Sequence, residues 1–141
     1  ARAPLWEGGQ DFAHGTGHGV GHYLSVHEGP HRISKFSNVA FKEGMIVSNE
    51  PGFYHEGKFG IRIENLILVQ KSEMEPSNSF LEFETLSFVP IDQRLISVRL
   101  LNEHEIEWIN NYHLQCWEKV QNKVDTKTQA WLENMTKPIE K

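Results

Sequence analysis

A run of alternating histidines and glycines, residues 14–22, limits the fold more than any other part of this 141-residue sequence. Its three histidines are spaced by four, which would line them along one face of a helix. However, the four glycines between them would each cost a helix roughly 1 kcal/mol relative to alanine. We therefore predict an extended or looped segment whose bare side lets another backbone or a ligand approach closely. The residues expected to share the other side are His14, Thr16, His18 and His22.

The glycines could also indicate a phosphate-binding loop, but the required motifs are missing. GxxxxGK[ST] does not occur, and His22 stands where GxGxxG needs its last glycine. The formal charge is -5 and the basic residues are scattered, so no stripe of lysine and arginine could neutralise nucleic-acid phosphates. No apolar run approaches the roughly 20 residues of a membrane helix. The sequence thus predicts neither a nucleic-acid partner nor a membrane partner.

Two β-prone runs are each predicted to carry a glutamate. Residues 45–50 form the first strand, which a proline ends because it cannot donate to a strand ladder. After a turn at residues 57–60, the run 61–69 forms the second strand, and the two together predict a hairpin. Glu50 ends the first strand and Glu64 lies within the second, where burying an acid is costly unless something pairs with it.

The remaining sequence predicts a third strand and then two helices. The strand, residues 81–89, follows a polar segment at residues 72–79 and completes an antiparallel sheet. Asn102 is a good helix N-cap, with Glu105 three residues further on. A shorter second helix is expected from Thr126 until Pro138. The side chains predicted to face inward are Ile106, Ile109, Cys116, Trp117 and Val120 in the first helix, and Trp131, Leu132 and Met135 in the second.

A histidine loop beside two strand glutamates is typical of a metal site. Arg62 offers a simpler explanation for Glu64, since the two share a strand face and could form an ion pair, so that pair alone leaves both interpretations open. One neutral imidazole and two carboxylates supply a charge of about -2, which is too little for two divalent cations. Further acids are therefore expected from outside the chain. The opening residues, 1–9, agree, because they predict the end of a helix and a start within a domain.

Several segments resemble a known family in order and spacing: HGTGHGVG, VHEGP, MIVSNEPGFY and GIRIENLILV. They are similar to the second half of the pita-bread metallopeptidase domain of aminopeptidase P. LEFETLSFVPI and WINNYH extend the resemblance into the carboxy-terminal extension of its long, eukaryotic-type members. The implied class is α+β, in the pita-bread (creatinase/aminopeptidase) fold, with a curved antiparallel sheet flanked by helices. Residues 1–91 would belong to the catalytic domain, and residues 92–141 would form a helical extension packed on it.

The resemblance also implies roles for particular residues. His18, Glu50 and Glu64 would be metal ligands, with Glu50 also the general base and Glu64 bridging both ions. His14 and His27 would contact the substrate and take part in catalysis, His27 by stabilising the oxyanion. Arg62 would border the substrate and orient the bridging carboxylate. The family's first half should add two aspartates and one histidine, whereas the aspartates here are expected to be surface or cap residues: Asp11, Asp92 and Asp125.

The implied activity is metal-dependent removal of an N-terminal residue that precedes proline, by a hydroxide bridging two metal ions. Mn²⁺ is the first candidate, with Zn²⁺ or Co²⁺ as alternatives. The expected partners are peptides with proline in second position, the remaining part of the enzyme and a second copy in a homodimer. The single cysteine, Cys116, cannot form an internal disulfide, which indicates a reducing, cytoplasmic setting. Alone, the chain should be inactive because its site is incomplete.

Three alternatives remain open. The chain could belong to another enzyme of the same architecture, an Xaa-Pro dipeptidase or a methionine aminopeptidase. It could be a pita-bread domain that has lost catalysis and serves as a binding module. It could also be a purely structural fragment whose histidine-rich loop is a coincidence, in which case the assembled protein would contain no metal.

Overall fold

The computed structural model describes residues 1–23, 25–74 and 80–141, which separate into two compact units. The first unit spans Ala1–Ser87 and contains the seven described strands. The second spans Phe88–Lys141 and contains two long helices. Antiparallel pairing in the first unit and a helical carboxy-terminal part confirm the predicted α+β class.

The first unit opens with a short helix and a small two-stranded sheet. Helix α1, Ala3–Glu7, ends at the two glycines that predicted its end. Strand β1, Gly17–His18, pairs antiparallel with β2, Arg32–Ile33. The expected extended segment is thus a strand for only two residues. A Cβ atom on Gly17 would lie 1.9 Å from the carbonyl oxygen of Ser48, so the glycine allows the close backbone approach that was predicted.

Four strands form one long hairpin with an interruption in its middle. Strand β3, Ile46–Asn49, pairs with β6, Asn65–Lys71, and β4, Gly52–His55, pairs with β5, Phe59–Arg62. The register is the same on both sides of the interruption. Gly57, with a φ of 71°, lies in the turn that joins β4 to β5.

The prediction of one unbroken second strand over residues 61–69 is therefore wrong, although the hairpin is confirmed. The break lies at Ile63 and Glu64, between β5 and β6. Ile63 donates its backbone N–H to the Pro51 carbonyl at 3.3 Å. Proline has no N–H to return that bond, so the ladder fails at this pair.

Strand β7, Leu81–Thr85, completes a three-stranded antiparallel sheet in the order β3–β6–β7. It is shorter than the predicted strand, residues 81–89. Residues 75–79 of the predicted polar segment lie outside the described residues. The buried apolar side chains of the first unit are Phe12, Val47, Ile67 and Val69.

The second unit contains α2, Glu103–Val120, and α3, Thr126–Met135. The predicted capping box is confirmed, because the Asn102 side chain accepts from the Glu105 backbone N–H and the Glu105 side chain accepts from the Asn102 backbone N–H. Short 3-10 turns precede and follow α2. The buried side chains of this unit are Ile109, Tyr112, His113, Cys116, Leu132 and Ile139.

One inward-facing prediction in α3 is wrong. Trp131 is 54% exposed, whereas the neighbouring Leu132 is 2% exposed. Successive helical residues lie about 100° apart, and the inner face of α3 follows Thr128, Leu132 and Met135 instead. The helix ends at Met135, before it reaches Pro138.

No helix among the described residues is both long and apolar enough to span a membrane.

Candidate metal centre

Three side chains from separate segments meet at the interruption of the long hairpin. His18, at the end of β1, Glu50, directly after β3, and Glu64, between β5 and β6, each offer one ligand atom. These three atoms lie within 4.8 Å of one another. No other group of three potential ligands of this kind is found among residues 1–23, 25–74 and 80–141. The three residues that the sequence suggested as ligands are thus brought together.

The hairpin register places the two carboxylates opposite each other. Because the register continues across the interruption, Glu50 faces Glu64, next to the pair that joins Pro51 and Ile63. Like charges directly opposite on antiparallel strands destabilise a sheet. A cation between the two carboxylates would turn this repulsion into attraction, which makes the position suitable for a divalent metal ion.

The orientation of the His18 ring fits the same interpretation. Its Nδ1 donates to the carbonyl of Gly19 at 3.0 Å. In a neutral ring, the Nε2 lone pair therefore points away from that bond, and Nε2 lies 3.4 Å from Glu50 Oε1. Metal-binding histidines commonly donate their other ring N–H to a backbone carbonyl in this way. The three donor groups fit a divalent cation, although three ligands cannot complete the coordination of two such cations.

Glu50 is held by several neighbours at once, and the whole residue is only 8% exposed. Its Oε1 accepts from the Ser48 hydroxyl at 2.9 Å, and its Oε2 accepts from Arg62 Nη1 at 3.1 Å. Its backbone N–H donates to the Thr16 carbonyl at 2.7 Å. The carboxylate therefore has a fixed position close to His18.

Arg62 contacts a different acid from the one that the sequence suggested. Its guanidinium bonds Glu50, whereas the predicted partner, Glu64, acts on it through charge. Its Nε also donates to the Tyr54 hydroxyl at 3.0 Å. The pKa of Arg62 is raised above its usual value, first by the hydrogen bond with Tyr54 and then by the charges of the two glutamates. Arg62 thus remains a cation beside the site.

His14 and His27, the two histidines expected to contact substrate, contact different residues around this cluster. His14 Nδ1 donates to the Gly15 carbonyl at 2.7 Å, so that in a neutral ring Nε2 accepts from the Tyr54 hydroxyl at 2.7 Å. Tyr54 therefore links His14 to Arg62. The His27 ring stands with its centroid 4.2 Å from that of His18. His22, to which no role was given, is exposed.

Ser48 and Tyr54 are absent from the sequence-based prediction of the site. Ser48 could have been found from its spacing, because it lies two residues before Glu50 and so on the same strand face. Tyr54 pairs with Gly60, and Arg62 is the diagonal neighbour two residues further along β5. That contact depends on the register of the hairpin.

The three aspartates are surface or cap residues, as predicted. Asp92 accepts from the Arg94 backbone N–H at a 3-10 turn, and Asp125 caps α3 by accepting from Thr128. Asp11 accepts from the Phe12 backbone N–H and from Lys35. They lie outside the group formed by His18, Glu50 and Glu64, here called the three-ligand group.

Comparison with known families matches most of the chain. Residues 1–71 match the model of metallopeptidase family M24, and residues 79–139 match the model of the C-terminal region of peptidase M24. A probable Xaa-Pro aminopeptidase P of Laccaria bicolor is 48% identical over 99% of this chain and 23% of its own length. Aminopeptidase P2 of Arabidopsis thaliana is 48% identical over 100% of this chain and 21% of its own length. The chain thus spans about a quarter of the length of these curated relatives.

Solved structures agree with these matches. X-prolyl aminopeptidase of Caenorhabditis elegans, described as a cytosolic enzyme with a di-nuclear active site, matches with a TM-score of 0.88 and 41% identity, over 98% of this chain and 23% of that one. Xaa-Pro dipeptidase of Bacillus anthracis matches with a TM-score of 0.52 and 34% identity, over 64% of this chain and 23% of that one. The pita-bread fold expected from the sequence is confirmed. The chain belongs to metallopeptidase family M24.

Proposed function

We propose that this chain is the carboxy-terminal part of an Xaa-Pro aminopeptidase, which removes an N-terminal residue that precedes proline. The observation that carries the proposal is the convergence of His18, Glu50 and Glu64 within 4.8 Å at the break of the hairpin. The activity is that of the complete enzyme, because the chain spans about a quarter of its relatives.

In this proposal, His18, Glu50 and Glu64 hold two divalent cations together with ligands from the rest of the enzyme. When bound, such cations polarise a carbonyl group and lower the pKa of water. Glu50 is the general base, which receives a proton from the attacking water. Its position supports this role, because Ser48 and Arg62 hold its two oxygens in fixed directions.

The two remaining histidines would act on the substrate. His27 is exposed and its ring lies beside that of His18, tilted by 41°, so it can donate to the carbonyl oxygen of the scissile bond as negative charge develops there. His14 is oriented by the Gly15 carbonyl and the Tyr54 hydroxyl. With Arg62, it would contact the substrate.

Several finer features belong to the same proposal. Mn²⁺ is the first candidate because carboxylate donors suit it, while Zn²⁺ and Co²⁺ also accept imidazole. The rest of the enzyme would supply two aspartates and a histidine. We further propose a homodimer and a cytoplasmic location, the latter because the C. elegans relative is described as cytosolic.

A dipeptidase of the same family is the main competing function. The Bacillus anthracis dipeptidase covers 64% of this chain, whereas the C. elegans aminopeptidase covers 98%. This difference in coverage favours the aminopeptidase. Comparing hydrolysis of an Xaa-Pro-Xaa tripeptide with hydrolysis of an Xaa-Pro dipeptide would separate the two, since an aminopeptidase should prefer the tripeptide.

The central test is Glu64→Gln in the full-length enzyme. We expect loss of bound Mn²⁺ and a roughly 1000-fold fall in tripeptide hydrolysis, because the metal contributes several kcal/mol to catalysis. When both proteins are metal-free, the variant should be at least as stable as the wild type, since the change removes the like charge opposite Glu50.

Glu84→Gln, at an exposed position on β7, is the matched control and should behave as the wild type. Metal analysis, tripeptide assays and thermal unfolding of both variants provide the comparison. Near-normal hydrolysis by Glu64→Gln would refute the metal assignment, and a wild-type enzyme free of metal would favour a non-catalytic module.

A further inference from the structure

Ser48 connects two of the proposed metal ligands through a single hydroxyl group. This residue of β3 is completely buried. Its Oγ donates to Glu50 Oε1 at 2.9 Å and accepts from the backbone N–H of His18 at 3.0 Å. A hydroxyl has one proton to donate, so these two bonds together determine its orientation.

The surroundings leave Ser48 little freedom to move. Its backbone lies in the β3–β6 ladder opposite Leu66, and its carbonyl oxygen approaches Gly17 closely enough to exclude a Cβ there. Ser48 and Glu50 are two residues apart in an extended chain, which places both side chains on the same face. The hydroxyl therefore links the strand that carries His18 to the residue that carries the carboxylate.

Without this bond, the carboxylate of Glu50 would have a different best position. Oε2 would still accept from Arg62, and Oε1 would be free to turn toward the same guanidinium, because arginine favours a bidentate contact with a carboxylate. Such a rotation would draw Oε1 away from His18 Nε2, now 3.4 Å away. Ser48 thus opposes the pull of Arg62.

We propose that Ser48 is a positioning residue that holds Glu50 and His18 in the arrangement required by a divalent cation. The inference rests on the proposed function of that site. Residues that orient metal ligands typically contribute about 10- to 100-fold to metal affinity, and we expect an effect of that size here.

The same sheet offers a closely matched control. Ser72 directly follows β6 and is 5% exposed. Its Oγ donates to Glu82 Oε2 at 2.9 Å and accepts from the Met74 backbone N–H at 3.2 Å. Ser72 therefore makes the same pair of bonds as Ser48, to a glutamate and a backbone N–H, but outside the three-ligand group.

The test is calorimetric titration of Mn²⁺ into the metal-free, full-length enzyme. Ser48→Ala should bind Mn²⁺ about 10- to 100-fold more weakly than the wild type, and Ser72→Ala should bind it as the wild type does. Because both changes remove one buried donor, their thermal unfolding temperatures should fall by similar amounts. A Ser48→Ala variant that binds Mn²⁺ as tightly as Ser72→Ala would overturn the proposal.

A second pair of variants keeps the result independent of packing. Thr and Val have nearly the same shape and differ by the hydroxyl group. The affinity of Ser48→Thr for Mn²⁺ should therefore be higher than that of Ser48→Val, by about 10-fold or more. Equal affinities would overturn the role of the hydroxyl. If Glu64→Gln weakens binding while the position 48 variants do not, the role of Ser48 alone is refuted. If the wild type binds none of Mn²⁺, Zn²⁺ and Co²⁺, the proposed function itself is refuted.

Discussion

His18 in the first unit and His113 in the second both bond backbone groups, yet their surroundings differ. His18 donates through Nδ1 to a carbonyl, and its Nε2 lies 3.4 Å from a carboxylate, with 26% of the side chain exposed. His113 is completely buried, and its Nε2 accepts from the Ile91 backbone N–H at 3.1 Å. The lone pair of His113 is therefore used within the fold, whereas that of His18 is available to a cation.

The buried polar groups near His18 differ in the same way from the core of the second unit. In the first unit, Thr16, Ser48 and Glu50 are buried beside one another and are joined by hydrogen bonds. In the second unit, His113 is the buried polar side chain, and apolar residues fill the rest of the core. A cluster of buried polar groups is therefore more typical of a candidate site than a single buried side chain that bonds one backbone N–H.

Exchanging each histidine for alanine would test the difference directly, and the largest effect should come from His18→Ala. We expect a roughly 1000-fold loss in kcat/KM for tripeptide hydrolysis, because a proposed ligand of the metal is removed. The thermal unfolding temperature of the metal-free protein should change little, since the His18 side chain is partly exposed. His22→Ala, at an exposed position four residues further along the histidine-rich segment, is the control and should remain active. If His18→Ala were as active as His22→Ala, the proposed difference between His18 and His113 would be wrong.

His113→Ala should show the opposite pattern. The change leaves a cavity and a partly buried Ile91 N–H without its acceptor, which together should destabilise the protein by about 2–4 kcal/mol. Urea unfolding of the full-length enzyme measures this loss, and Mn²⁺ affinity should stay unchanged. His104→Ala, at an exposed position of α2, is the matched control. Weaker Mn²⁺ binding by His113→Ala would show that the two histidines are not separate in function.

The smallest expected effect is a pH dependence of stability that arises from His113. Burial lowers the pKa of His113 below its usual value of 6.5, so the unfolded chain takes up a proton before the folded one. The stability that neutral His113 contributes is fully present at pH values above the usual pKa of 6.5. It is lost as the pH falls, by at most about 1.4 kcal/mol per pH unit. The stability difference between wild type and His113→Ala should therefore narrow on acidification. A stability difference between wild type and His113→Ala that stayed constant from about pH 8 to pH 5 would contradict this expectation.

The sequence predicted which residues are candidate ligands but not the contacts that hold them. Glu50 and Glu64 stood out by residue type and by their places in the chain, and the family resemblance singled out His18 among the histidines. The structure brings these three residues together. Arg62 was expected to pair with Glu64, its neighbour on one strand, but it bonds Glu50 across the hairpin. Pairing across strands depends on register, which residue types near Arg62 do not reveal.

Local features were predicted more accurately than long-range ones. The capping box at Asn102 and the turn that contains Gly57 involve residues within a few positions of each other, so their chemistry is readable from the sequence. Trp131 was placed inward because it is large and apolar, but the inner face of α3 is set by what packs beside it.

By itself, the sequence determined the residue types available for metal binding, the glycines that permit close backbone approach, and the proline that breaks the ladder. Only the tertiary structure decided that Glu50 lies opposite Glu64, that Ser48 joins Glu50 to His18, and that Arg62 turns to Glu50. The physical reason is distance along the chain. Turns, caps and strand ends depend on neighbouring residues, whereas these contacts arise when segments more than ten residues apart pair in one register.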